Sequence, residues 1–142
     1  METKKAIIVS GYFNPLHVGH LELFTKAKAC GDELWVIVNN DKQRALKGSK
    51  EFMNEYDRLA IVNAVRWVDK VFISIDRDKT QIRTLEYINS LFSSSYELFF
   101  ANGGDQNNST IAEAEICKKL NIKLLDRLGR KIQSSSWLLD KL

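Results

Sequence analysis

The chain has two histidines, His17 and His20, and they share one short stretch with Gly19 between them. If a helix begins there, a spacing of three places both imidazoles on one side. Gly19 carries no side chain, so a bulky anion can come close to the backbone. A helix start also offers unpaired N–H groups and the positive end of its dipole. These parts together would make a cradle for phosphate. Zinc is a rival ligand for two histidines so spaced, but no third ligand of the usual kind is near in sequence. A purely structural pair is the plainer alternative. Both rings falling in one loop, directly after the first apolar run, argues against it.

The elements that must hold this loop are legible on either side of it. Lys5–Ser10 (KAIIVS) reads as a buried strand, and Val18–Cys30 as a helix stopped by Gly31. Further strands are expected at Leu34–Val38, Lys70–Ile75, Leu98–Ala101 and Asn121–Leu125. Helices are expected at Asn54–Val65, Thr80–Phe92, Thr110–Leu120 and, short and serine-capped, Ser134–Leu142. The alternation predicts an α/β fold: a Rossmann-like, doubly wound parallel sheet of about five strands with helices on both faces. Such sheets bind ligands beyond the carboxyl ends of the strands, where the strand order reverses. The histidine loop lies at such an end.

A chain of 142 residues fits one domain, taken as residues 1–142, and can bury a real core. A net charge of +3 is too mild to argue for nucleic acid and suits small anionic substrates. No stretch approaches the ~20 apolar residues of a membrane span, and the first apolar run is too short for a signal-peptide core. A cytoplasmic location with no membrane partner is therefore expected. Cys30 and Cys117 are far apart, lack metal-ligand neighbours and read as buried, reduced thiols.

The full loop, Gly11-Tyr12-Phe13-Asn14-Pro15-Leu16-His17-Val18-Gly19-His20, resembles the H-x-G-H signature of a nucleotidyltransferase superfamily. Within it, the loop is similar to the cytidylyltransferase-like family, whose usual form is G-x-F-D-x-x-H-x-G-H. That family includes cytidylyltransferases acting on glycerol-3-phosphate, choline phosphate and ethanolamine phosphate, and adenylyltransferases acting on heptose phosphates. The resemblance implies a nucleotidyltransferase that joins the α-phosphate of a nucleoside triphosphate to a phosphorylated small molecule and releases pyrophosphate. It implies that His17 and His20 contact the triphosphate, with Gly19 between them. Gly11, Tyr12 and Phe13 would form the loop over the α-phosphate. Asn14 stands where the family often has Asp, and Tyr12 where many members have Thr. An amide hydrogen-bonds but holds a cation poorly.

Later segments carry the resemblance further. Arg44–Lys50 resembles the family's basic loop. Lys47 matches its phosphate-binding lysine, placed with the two histidines as catalytic, and Arg58 would reach the acceptor or the triphosphate. Lys42 and Lys50 read as solvated charges. Gly103, Gly104 and Asp105 follow a strand, where glycines let a ligand come close, and the family often has such residues near the nucleobase and ribose. A plain turn is the alternative. Ser134, Ser135 and Ser136 resemble the family's serine/threonine motif at a last helix, with Arg130 adding charge before it; a simple serine cap is the alternative.

Magnesium is expected, held mainly by the triphosphate oxygens, with no protein metal cage. A homodimer is expected from the resemblance alone. Small size and overall pattern favour CTP, while Gly103-Gly104-Asp105 also resembles the ATP-using heptose enzymes. A fragment of a class I aminoacyl-tRNA synthetase shares the histidine pattern, but the chain is too short for tRNA recognition. A non-catalytic nucleotide-binding protein on the same fold is the remaining rival.

Overall fold

A computed structural model describes residues 3–101 and 108–125. It contains β1 (Lys4–Gly11), α1 (Val18–Lys28), β2 (Glu33–Val38), α2 (Asp41–Lys47) and α3 (Glu55–Asn63), followed by β3 (Lys70–Ile73), α4 (Ile82–Phe92), β4 (Tyr96–Ala101), α5 (Asn108–Leu120) and β5 (Lys123–Leu125). The five strands form one sheet in the order β3-β2-β1-β4-β5, and every neighbouring pair is parallel. Strand order reverses between β1 and β4, so the carboxyl end of β1 opens at the switch point of the sheet. The doubly wound α/β fold expected from the alternation is the fold observed.

The two faces follow from the period-2 geometry of strands. On β1, Ile7 and Val9 pack into a core with Leu34, Val36 and Val38 of β2, Leu23, Phe24 and Ala27 of α1, and Val62 of α3. Ala6 and Ile8 turn to the opposite core, formed by Trp35 and Ile37 of β2, Leu85 and Ile88 of α4, Leu98 and Phe100 of β4, and Cys117 of α5. Register keeps the faces aligned: Ile7 pairs with Leu34, Ile8 with Trp35 and Val9 with Val36. Each fully buried Ile, Leu or Phe in these layers contributes on the order of 1.5–3 kcal/mol. Both cores clamp β1, which makes the loop at its end a well-fixed position.

Some local readings differ. The basic stretch expected as a loop is helix α2, whose only buried residue is Gln43. It has no apolar stripe to betray it and is held by its ends. Asn40 accepts the Gln43 N–H, Gln43 returns a bond to the Asn40 N–H, and Gly48 closes the helix at φ 89°, a left-handed conformation open to glycine. β4 begins two residues earlier than expected, because Tyr96 pairs with Lys4 and its hydroxyl donates to Glu33. Cys117 is buried as expected, but Cys30 is exposed, its thiol donating to the Lys26 carbonyl. No helix among the described residues is long and apolar enough to cross a membrane.

Candidate functional site

β1 ends at Gly11, and the chain then turns sharply into the histidine loop. A Cβ on Gly11 would lie 2.8 Å from Cζ of Phe13, so glycine is what lets that ring fold back beneath the strand end. Phe13 has φ 52°, a left-handed conformation that costs a bulky residue on the order of 1–3 kcal/mol. Burial offsets it: the ring is 2% exposed and meets the edges of Phe24 (5.5 Å) and His20 (4.9 Å). The Phe13 side chain is core, and the expectation that Phe13 forms part of a phosphate loop falls to its backbone. Only its backbone could face a ligand.

His17 is the N-cap of α1, in extended geometry. Its Nδ1 accepts the Gly19 N–H at 3.1 Å, and Nδ1 of His20 accepts the His17 N–H at 3.0 Å. Two imidazoles thus replace the serine and glutamate of an ordinary capping box. The consequence is tautomeric. With each Nδ1 acting as an acceptor, each neutral ring carries its proton on Nε2. The rings stack at 3.9 Å with a 31° tilt. Burial, and then the charge of His17 alongside, push the His20 imidazole down to about 4. At neutral pH His20 is an uncharged N–H donor, fixed in orientation by its cap bond below and Phe13 behind. The Gly19 amide is engaged by His17 in this structure.

Lys47, far along the chain, comes to this loop. Its ammonium lies 4.4 Å from the centroid of the Tyr12 ring. Three of the residues named from sequence as chemical, His17, His20 and Lys47, are thus carried by one loop and the helix end that touches it.

Arg58 is a correction. It was expected to reach a ligand, but it is fully buried. Its Nε donates to the Met53 carbonyl, Nη1 to the carbonyls of Tyr12 (2.8 Å) and Asn39 (2.6 Å), and Nη2 to Asp41 Oδ1 (2.6 Å). Fully buried, and with four of its five N–H donors so engaged, this guanidinium is not placed to meet a substrate. It fastens the histidine loop to β2, to α2 and to the start of α3. Asn14 is a second fastening. Its amide donates to the Lys50 carbonyl while Oδ1 accepts the N–H groups of Phe52 and Met53. A carboxylate could not make the first of these bonds, which gives Asn14 a structural reason where the family often has Asp. With its oxygen doubly engaged, Asn14 is not a ligand for a cation. Among the described residues no group of three or more His, Cys, Asp or Glu side chains is arranged to hold a metal ion.

Sequence reasoning missed Asn39, Asn40 and Asp41, which connect β2 to this frame. Asn40 Nδ2 donates to the carbonyls of Ser74 and Asp76, and Asp41 and Glu55 exchange reciprocal bonds with each other's N–H. The pattern Asn40-Asp41 followed by Gln43 was the available signal, a capping box directly after a strand. Gly103, Gly104, Asp105, Arg130, Ser134, Ser135 and Ser136 lie outside the described residues.

Residues 8–132 match the cytidylyltransferase-like family. The chain belongs to that family. Its membership makes it a nucleotidyltransferase by class. Relatives sharpen the picture. An FAD synthase of Thermococcus sibiricus is 34% identical over 120 residues, covering 84% of this chain and 76% of that protein. The chain spans about half the length of further FAD synthases that it matches. The bifunctional protein HldE of Koribacter versatilis is 35% identical over 56% of this chain and 17% of its own. Among solved structures, a lipopolysaccharide core biosynthesis protein of Thermoplasma volcanium superposes with a TM-score of 0.70 at 24% identity, covering 86% of this chain and 93% of the other, which supports the fold.

Proposed function

We propose that this cytidylyltransferase-like protein transfers adenylate from ATP to the phosphate of flavin mononucleotide and releases pyrophosphate. The observation that carries the transfer chemistry is the stacked pair of imidazoles, each with Nδ1 held by a backbone N–H, so that Nε2 is the protonated atom of each neutral ring. Such preorganised donors stabilise charge as it develops on a transferred phosphoryl group. The choice of base rests on the FAD synthase relatives, since the adenylate half of FAD must come from an adenine nucleotide. They favour ATP over the CTP expected from size and pattern. The acceptor fits the expected class, because flavin mononucleotide carries its phosphate on a ribityl chain, a polyol.

In this reading an oxygen of the acceptor phosphate attacks the α-phosphorus. The bond from that phosphorus to the bridging oxygen breaks, and pyrophosphate leaves with the electron pair. The acceptor is already an anion at neutral pH, so no covalent intermediate on the protein is needed, and positioning supplies most of the rate. His17 and His20 donate to the phosphates, and the Lys47 ammonium offsets charge passing to the leaving group. Gly11, Tyr12 and Phe13 contribute backbone to the loop. Gly103, Gly104 and Asp105 would meet the base and ribose, and Arg130 with Ser134, Ser135 and Ser136 would meet the triphosphate. Magnesium would arrive on the nucleotide phosphates, which suits a mouth of N–H and ammonium donors with Asn14 already engaged. The reading also keeps the homodimer, the single domain and the cytoplasmic location.

The test is pyrophosphate release from ATP, CTP, GTP and UTP, each paired with flavin mononucleotide, heptose phosphate, glycerol-3-phosphate and choline phosphate. ATP with flavin mononucleotide is expected to exceed every other pair by at least about tenfold. Faster turnover of a heptose phosphate with ATP would move the acceptor toward the HldE relative, whose similarity supports that second reading. Faster turnover with CTP would overturn the base. Tight ATP binding with no release from any pair would leave a nucleotide-binding protein.

A further inference from the structure

The Tyr12 side chain is unexplained by the reaction above, because the hydroxyl that many family members carry at this position is replaced by a large ring. That ring is half-buried, and its phenol is pushed upward by burial, against the pull of the Asn39 side chain and the Arg58 charge. Lys47 is the last residue of α2, exposed, on a four-carbon stem. A lysine at a short helix's end would ordinarily spread its ammonium through many rotamers in water. Here the ammonium rests 4.4 Å from the ring centroid, well inside the ~6 Å at which a cation is attracted to an aromatic face.

The two partners are also fixed to each other through the backbone. Arg58 donates to the Tyr12 carbonyl from Nη1 and to Asp41, the first residue of α2, from Nη2. Gln43 of the same helix donates to the carbonyls of Asp78 and Thr80. The ring and the root of the lysine are therefore both held before any ligand arrives. From this geometry we infer that Tyr12 is a positioning residue, whose ring parks the Lys47 ammonium over the histidine loop. Where many family members have Thr, the tyrosine ring adds the preorganised placement of a full charge. The inference rests on the proposed reaction only for its kinetic readout.

Two measurements test it. The first needs no activity: the side-chain methylene protons of Lys47 next to the ammonium should be shifted upfield by the ring current in the NMR spectrum. The shift should persist in Tyr12→Phe and disappear in Tyr12→Leu and Tyr12→Thr. The second is kinetic. Tyr12→Leu should lower kcat/KM by about fivefold, chiefly through KM for ATP, and Tyr12→Phe should recover most of that loss. In a Lys47→Ala background, Tyr12→Leu should change kcat/KM by less than about twofold, since the partner is gone. Equal losses in the Phe and Leu variants, an undiminished Leu effect in the Lys47→Ala background, or a missing upfield shift in the wild-type protein would each overturn the inference. Should no substrate pair release pyrophosphate, the proposed reaction fails, and the chemical shift still decides whether the ring holds the lysine.

Discussion

Two polar clusters sit at carboxyl ends of strands in this protein, and they are built on opposite principles. At the end of β1, Nδ1 of His17 and Nδ1 of His20 each accept a backbone N–H, which puts the proton of a neutral ring on Nε2. Beyond β3, Asp76 is buried and uses its carboxylate wholly for the fold. Its Oδ1 accepts from the Thr84 N–H and hydroxyl, and its Oδ2 from the Arg83 N–H, which caps α4 from a distance. Glu113 of α5, also buried, accepts the Gln81 N–H in the same corner. The first cluster is built from rings that each accept a backbone N–H at Nδ1. The second is closed around acceptors that meet only backbone and hydroxyl donors.

The comparison is broken most severely by removing what holds the first cluster in place. Arg58→Met should destabilise the fold by about 3–5 kcal/mol, measured by urea unfolding. It strands buried carbonyls at Tyr12, Asn39 and Met53 and leaves Asp41 without its cation. If Arg58 instead met a substrate, the unfolding midpoint would hold while KM rose.

Next come the histidines themselves. His17→Asn keeps an N-cap acceptor but has no Nε2–H. Turnover should fall on the order of a hundredfold, about 3 kcal/mol of barrier, while stability changes by no more than about 1 kcal/mol. His20→Ala should lose turnover to a similar extent, with a larger stability loss because the ring also packs on Phe13. Near-normal pyrophosphate release by either purified variant would remove these rings from the reaction.

These contrasts also explain what could be read from the chain beforehand. The sheet, its faces and the histidine loop were legible because their signals are local: alternation along KAIIVS and LWVIV, helical spacing after Val18, and two histidines three residues apart. Helix α2 escaped because caps hold it and no apolar stripe marks it. Arg58 was misread because its partners are far along the chain: Tyr12 is 46 residues away and Asn39 is 19. A charged residue announces exposure in a sequence, and only the fold reveals carbonyls converging on it. The same holds for Asp76 and Glu113, whose roles depend on α4 and α5 meeting the end of β3.

The smallest expected effect separates the two clusters by their protons. Burial pushes the Glu113 carboxyl up to about 8 from an ordinary 4.5. Between those values the folded protein holds a proton that the unfolded chain has released, so stability falls as pH rises. His20 works in the other direction. Its imidazole is pushed down to about 4 from 6.5, so between those values the unfolded chain holds the extra proton and stability rises with pH. The two slopes oppose each other from 4.5 to 6.5, and above 6.5 the histidine slope fades toward zero. From pH 6.5 to 8 Glu113 dominates the two, at up to about 1.4 kcal/mol per pH unit, for a loss near 2 kcal/mol. Glu113→Gln keeps an oxygen to accept the Gln81 N–H and cannot titrate. In urea unfolding at pH 6.5 and 8, the variant should lose about 2 kcal/mol less than the wild-type protein across the interval. Equal losses in both would mean that water reaches Glu113 and that burial does not hold its proton.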